Sequence, residues 1–218
     1  ESTYDFSKLD KIMKLVKENG LKVCMATSTG AHPAWMARKY PDILRVEHNG
    51  MKRKFGARHN SCPNSPNYRK YSAALVEKIA ERYKDYDNIV AWHINNEFGG
   101  WCYCENCEKA FRVWLQKKYG TLDELNRVWN TAFWSHTMYD WDDVVACNML
   151  SEEFLWDGQI RTNFQGISLD YNRFNSDSML ECFNIEKDVL KRITPDIPVT
   201  TNLMGAYKHL DYQKWAKD

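Results

Sequence analysis

One glutamate and four cysteines carry most of the chemistry this sequence offers. Trp92-His93-Ile94-Asn95-Asn96-Glu97-Phe98-Gly99-Gly100 is an apolar stretch that ends in an Asn-Glu pair followed by two glycines. A strand that ends this way delivers its carboxyl group into a turn facing a cleft, where it can hold and return a proton. That placement suits a general acid for a departing sugar oxygen. The apolar strand in front of Glu97 implies an apolar wall behind the carboxyl group, which favours its proton-bearing form. Asn96 beside it can hydrogen-bond the sugar hydroxyl next to the reacting carbon, a contact that strengthens in the transition state.

The cysteines point to a metal. Cys102, Cys104 and Cys107 form a C-x-C-x-x-C run just after the Glu97 strand, and Cys62 sits in an earlier loop. Four thiolates complete a tetrahedral zinc sphere and tie the two loops together. Such a sphere is closed to water, so the zinc it implies is structural and not catalytic. Cys24, Cys147 and Cys182 lie in apolar or helical settings and read as buried residues. Arg58, in Arg58-His59-Asn60, either reaches a sugar hydroxyl or pairs with a carboxylate. Trp134, in Phe133-Trp134-Ser135-His136, either stacks on a sugar face or anchors a loop. His93 reads as packed within the sheet.

These residues need elements to position them. Apolar residues at near-helical spacing predict a helix over 6–19, closed by Asn19-Gly20. A short strand follows over 21–26, then a loop, then a long irregular segment from about 33 to 66. Helical spacing returns over 67–86, with a second strand over 89–94. A helix over 108–119 ends at Gly120, and Thr121-Leu122-Asp123-Glu124 opens another with a capping-box pattern. Residues 132–166 are aromatic and irregular, with Trp134, Trp141 and Trp156. A helix over 171–193 stops at Pro195, a third strand covers 198–203, and Tyr212-Gln213-Lys214-Trp215 begins a last helix. A fourth strand is a candidate over 167–169.

Helix, strand and long loop in repetition is the beat of a parallel α/β protein. The long loops follow strand carboxyl ends, where a (β/α)8 barrel builds its active site. Eight strands close such a barrel, and this chain shows three or four. It therefore reads as one domain over 1–218, part of a TIM barrel whose first and last strands are not in this sequence, with long, zinc-braced βα loops.

Composition narrows the function classes. The 218 residues carry 30 Lys+Arg against 29 Asp+Glu, which gives no electrostatic case for nucleic acid or an anionic membrane. No apolar run approaches the roughly 20 residues that span a bilayer. The start, Glu1-Ser2-Thr3-Tyr4-Asp5, has neither the basic nor the apolar portion of a signal peptide, which points to a cytoplasmic protein with reduced thiols. Nine Trp and twelve Tyr supply core packing and suit a site that stacks sugar rings.

Several runs together resemble glycoside hydrolase family 42, the β-galactosidases. They are Arg58-His59-Asn60-Ser61-Cys62-Pro63-Asn64-Ser65-Pro66, Asn95-Asn96-Glu97-Phe98-Gly99, the C-x-C-x-x-C, Thr131-Ala132-Phe133-Trp134-Ser135, Phe174-Asn175-Ser176-Asp177-Ser178 and the run from Ile193 to Asn202. The resemblance implies a TIM-barrel catalytic domain, retaining hydrolysis of terminal β-D-galactosides, and a homotrimer. It places the general acid/base on Glu97, galactose contacts on Arg58, Asn96 and Trp134, and zinc on Cys62, Cys102, Cys104 and Cys107. It also implies a nucleophilic glutamate on a later strand, beyond Asp218. Glu152 and Glu153 in a loop, and Glu181 and Glu186 on a helix, do not match its motif. The rival readings are another retaining β-glycosidase and a non-catalytic, zinc-braced galactoside-binding fragment.

Overall fold

The computed structural model describes residues 3–151, 154–156, 159–205 and 209–217, with 154–156 and 159–161 described in backbone only. Glu152, Glu153 and the side chain of Trp156 lie outside the described residues. The elements run α1 (Ser7–Glu18), β1 (Val23–Ala26), α2 (Ala34–Lys39), α3 (Pro66–Tyr83), β2 (Ile89–His93), α4 (Glu105–Tyr119), α5 (Leu122–Trp129), β3 (Phe154–Trp156), β4 (Gln159–Arg161), α6 (Gln165–Ile193), β5 (Val199–Thr200) and α7 (Tyr212–Trp215). Two short 3₁₀ turns sit at Pro41–Ile43 and Trp141–Asp143. The long segments 33–66 and 132–166 are thus less irregular than their sequence implies.

The three strands β1, β2 and β5 form a parallel sheet with β2 in the middle, and β3 pairs with β4 as a separate antiparallel hairpin. Successive side chains alternate between the two faces of a strand. Met25 on β1 stands beside Trp92 on β2, and both are buried. Trp92 is fully covered and its indole Nε1–H donates to Thr194 Oγ1 at 3.0 Å, so a large ring is buried without stranding its polar edge. The opposite face carries Cys24, Ala26, Ala91 and His93, in the register Cys24–Ala91 and Ala26–His93. Cys24 is exposed there, contrary to the buried position expected, because alternation puts it on the face that the helices do not cover.

Helix ends follow their sequence signals in part. Ser65 caps α3 by accepting from Tyr68 N–H at 3.1 Å, with Pro66 at the first helical position. Thr121 accepts from Glu124 N–H at 3.2 Å, but the Glu124 carboxylate turns to Arg127 at 2.7 Å, so half of the expected capping box forms. Gly120 ends α4 at φ +75°, a conformation most side chains resist.

The candidate strand at 167–169 is instead the start of α6. Ile167 and Leu169 would share one face of a strand, yet Ile167 is fully buried and Leu169 is 53% exposed. Burial recurs at Ile167, Tyr171 and Phe174, the helical spacing, because this end of α6 packs on α4 and α5. At 29 residues, α6 is about 43 Å long and serves two cores. Its first half joins Phe111, Leu115, Leu125 and Trp129; its second half, through Met179, Phe183 and Leu190, joins the sheet, α1 and α3. Asp170 pins the first core by accepting from Tyr119 Oη at 2.5 Å and Trp129 Nε1 at 3.0 Å, beside Lys118 and Arg173. Burial opposes its charge, but the bonds from Lys118, Tyr119 and Trp129 outweigh that and hold its pKa below the ordinary carboxylate value.

Candidate active site and metal centre

The carboxyl ends of the three strands converge on Glu97. Ile94 N–H donates to Thr200 O at 2.8 Å, and Thr201 Oγ1 donates to Ile94 O at 2.8 Å, so the end of β2 is clamped to the end of β5. The chain then turns through left-handed Asn95 (φ +55°) and Glu97 (φ +49°). Side chains there pay a steric penalty of about 1–2 kcal/mol per residue, which the surroundings must offset. They do so with hydrogen bonds. Asn95 N–H donates to Thr27 Oγ1 at 2.9 Å, Asn96 N–H to Asn95 Oδ1 at 2.7 Å, and Glu97 N–H to Asn202 Oδ1 at 3.0 Å.

The Glu97 side chain is 25% exposed and ion-paired: Arg58 Nη1 lies 2.7 Å from its Oε2. Asn96 Nδ2 faces the same oxygen at 3.5 Å. The carboxyl group therefore sits among an arginine and amides, not against the apolar wall expected from the strand. Of the two partners left open for Arg58, the structure shows the carboxylate. Trp134 is 61% exposed, stacks on Phe133 at 4.9 Å, and lines a groove with His136, Met138, Phe164 and Ile167, a set that includes none of Arg58, Asn96 and Glu97. The structure thus brings three of the four predicted site residues together and leaves Trp134 in its own groove. His93 is half-buried within the sheet, as expected.

The four cysteines meet as well. Their sulfurs all lie within 4.8 Å of one another, with Cys62 Sγ 3.4 Å from Cys104 Sγ and 3.5 Å from Cys107 Sγ. These separations are far too long for a disulfide, and the group could hold a metal ion. Asn64 aims two N–H groups at the sulfurs, its backbone at Cys62 and its side chain at Cys107, both at 3.4 Å. The neighbouring thiols first, and burial second, push Cys62 well above the ordinary thiol range. Cys107 is raised as well, chiefly by Cys102 and Cys104, whereas Cys102 is lowered and hydrogen bonds from Cys102, Cys107 and Cys62 draw Cys104 well below that range.

Arg45 links the two loops that carry Arg58 and Glu97, and nothing in its Leu44-Arg45-Val46 context signals this role. It is 6% exposed, with Nε donating to Ser61 O at 2.6 Å and Nη1 to Gly99 O at 2.6 Å. A Cβ added at Gly100 (φ +78°) would lie 2.3 Å from Arg45 Nη1. Arg45 is held at both ends and cannot swing aside. Gly100→Ala is therefore expected to destabilise the protein by roughly 2–4 kcal/mol, read as a fall in the urea midpoint. An unchanged midpoint would mean that Arg45 is mobile.

His32 and His59 support the same loops. His32 is buried, its Nδ1 lies 2.7 Å from Ser61 Oγ, and burial lowers its pKa. Burial, then Arg45, depresses His59, while the carbonyls of Asn96 and Glu97 partly counter this.

Of the other glutamates, Glu181 pairs with Arg69 at 2.8 Å, while Glu186 is 1% exposed. Burial raises the Glu186 pKa from 4.5 to about 7, against bonds from Thr29, Thr27 and Asn95. The titratable groups facing it, Tyr68 on α3 and Cys182 on α6, are both shifted upward chiefly by burial, Cys182 to about 12, so they stay neutral. Below about pH 4.5 Glu186 is neutral in folded and unfolded chains alike. Between there and pH 7 the unfolded chain ionises first, so stability falls by about 3 kcal/mol and then levels off. Glu186→Gln removes that loss: it should raise the unfolding midpoint more at pH 8 than at pH 4.5, and an equal change at both would refute the linkage.

Comparison with known proteins assigns the chain to a family. The family model described as Beta-galactosidase matches residues 1–218. The β-galactosidase BgaP of Planococcus sp. (strain L4) is 60% identical over the whole chain, and the LacZ β-galactosidase of Lactobacillus acidophilus is 50% identical. The crystal structure of β-galactosidase from Bacillus circulans sp. alkalophilus superposes with a TM-score of 0.95 at 67% identity, over 100% of this chain and 32% of that one. The chain likewise spans 32% of the length of each of these two relatives. Among the described residues no helix is long and apolar enough to cross a membrane. With its α/β architecture, its strand-end glutamate and a match along its full length, the chain belongs to glycoside hydrolase family 42, the β-galactosidases.

Proposed function

We propose that residues 1–218 are part of the catalytic TIM-barrel domain of a retaining β-galactosidase, with Glu97 as its general acid/base. The observation that carries this is the grouping of Glu97, Arg58 and Asn96 at the end of β2, in a chain of this family. Glu97 protonates the glycosidic oxygen as it departs, then takes a proton from the water that releases the sugar. A second carboxylate, about 5–5.5 Å from the first, attacks the anomeric carbon. We assign it to a glutamate outside this chain. Arg58 holds the Glu97 carboxyl group in place and, being 57% exposed, also presents donors to galactose hydroxyls. Asn96 faces the hydroxyl beside the reacting carbon; the stacking role of Trp134, whose exposed ring lines a groove apart from these three residues, rests on the family resemblance alone.

Zinc fits the four cysteines. A tetrahedral ZnS₄ unit with bonds of about 2.3 Å has sulfurs about 3.8 Å apart, which lies between the 3.4 and 3.5 Å from Cys62 to Cys104 and Cys107 and the 4.8 Å that bounds the whole set. The Asn64 donors supply the outer hydrogen bonds that such thiolates use. Bound there, zinc would brace the Cys62 loop against the start of α4 and take no part in the reaction. The homotrimer rests on the family resemblance and belongs to the whole protein.

The test is a panel of nitrophenyl β-galactoside, β-glucoside and β-mannoside with the full-length protein. A kcat/KM at least about tenfold higher on the galactoside is expected; preference for glucoside or mannoside would transfer the protein to another retaining activity.

A further inference from the structure

Glu186 is a buried ionisable group for which the reaction above has no use. It lies on α6, 1% exposed, and its Oε2 has no hydrogen-bond partner among the described residues. Stranding a carboxyl oxygen away from water costs about 1–3 kcal/mol, and a leucine would avoid that cost. The residues around it suggest why a carboxyl group is there. The hydroxyls of Thr27 and Thr29 and the Asn95 side chain all face it.

The hydrogen bonds around Glu186 run in one direction. Asn95 N–H donates to Thr27 Oγ1, and Asn95 Nδ2 donates to Tyr68 Oη at 3.0 Å. Tyr68 Oη donates in turn to Thr29 O at 3.0 Å. A hydroxyl has one proton and two lone pairs. Thr27 Oγ1 spends a lone pair on Asn95 N–H, so its proton needs an acceptor elsewhere. Thr29 Oγ1 lies 3.1 Å away but carries a proton of its own to place. A carboxyl oxygen takes such protons and keeps the Thr27 lone pair aimed at the left-handed turn.

We propose that Glu186 is a positioning residue for catalysis: as the terminal acceptor of the Thr27, Thr29 and Asn95 network, it holds the Asn95–Glu97 turn so that the Glu97 carboxyl group meets the glycosidic oxygen. The inference rests on the reading of Glu97 as the acid/base. Because Thr27 and Thr29 can satisfy only one hydroxyl proton between them, replacing the acceptor with a hydrocarbon leaves the other hydroxyl proton and an amide proton unpaired beneath a strained turn. A displacement of about 1 Å at the reacting group lowers the rate on the order of 10²-fold.

The experiment uses the full-length enzyme and two substrates: an aryl β-galactoside with an acidic phenol, which leaves without a proton, and an alkyl β-galactoside, which cannot. In Glu186→Leu, kcat/KM is expected to fall about 10- to 100-fold on the alkyl substrate and less than about threefold on the aryl one, with active-site titration correcting for folded fraction. Glu186→Gln, which keeps an acceptor oxygen, is expected to restore the ratio between the two substrates. If the leucine variant does not fold, Thr27→Val tests the same network by removing the oxygen that accepts from Asn95 N–H, and the same split is expected. Equal losses on both substrates, or none, in a folded variant would overturn the proposal. Glu97→Gln is run alongside. If it too shows no split, the acid/base reading has failed; if it shows the split and the Glu186 and Thr27 variants do not, only the role of Glu186 has.

Discussion

Glu97→Gln in the full-length enzyme is expected to lower kcat/KM on an alkyl β-galactoside by about 10²- to 10⁴-fold, the range that proton transfer by a positioned side chain supplies. The same variant should lose little kcat/KM on an aryl galactoside with an acidic phenol, because that oxygen departs without a proton. Glutamine keeps the size and polarity of the side chain at the Arg58 Nη1 contact, so binding of the sugar is largely spared. The second half of the reaction gives an independent check. Water attacking the glycosyl-enzyme needs a base, and azide does not. Added azide should therefore speed turnover of the aryl substrate by the variant and yield β-galactosyl azide. Equal loss on both substrates, with no response to azide, would remove Glu97 from the acid/base role.

Loss of the cysteine cluster has the second large effect. Zinc elemental analysis of the full-length protein should find one metal per chain, and Cys62→Ser should abolish it. A structural zinc contributes about 10–16 kcal/mol of apparent binding energy in peptides that fold around it. In a domain with two hydrophobic cores, part of that is lost when the site empties, and a fall of about 10 °C or more in the unfolding midpoint is expected. The effect extends to catalysis. The loop that delivers Cys62 also carries Arg58, and Arg45 ties Ser61 in that loop to Gly99 beyond Glu97. Activity should fall in step with zinc content during chelation and return when zinc is restored. Wild-type protein without zinc, and with stability indifferent to Cys62→Ser, would leave the cluster as four free thiols.

How much of this was legible beforehand depended on range along the chain. Helix periodicity, the Ser65-Pro66 start of α3 and the Gly120 stop of α4 were readable because each depends on neighbours within a turn or two. The strand-end Glu97 and the C-x-C-x-x-C run belong to the same class. By itself the sequence determined which residue types could act and where along the chain they stood. Tertiary structure decided which of them meet. It brought Cys62 to a cluster some 40 residues further on and Arg58 to Glu97, and it left Trp134 in a different groove. It turned Ile167–Leu169 into helix, because burying Ile167, Tyr171 and Phe174 against α4 and α5 outweighs a short β-prone run. Arg45 and Glu186 were the least visible. A buried arginine or glutamate has no local pattern: its burial is tolerable only when distant carbonyls, hydroxyls and amides arrive to meet it, and the packing of α3, α6 and the strand ends is what delivers them.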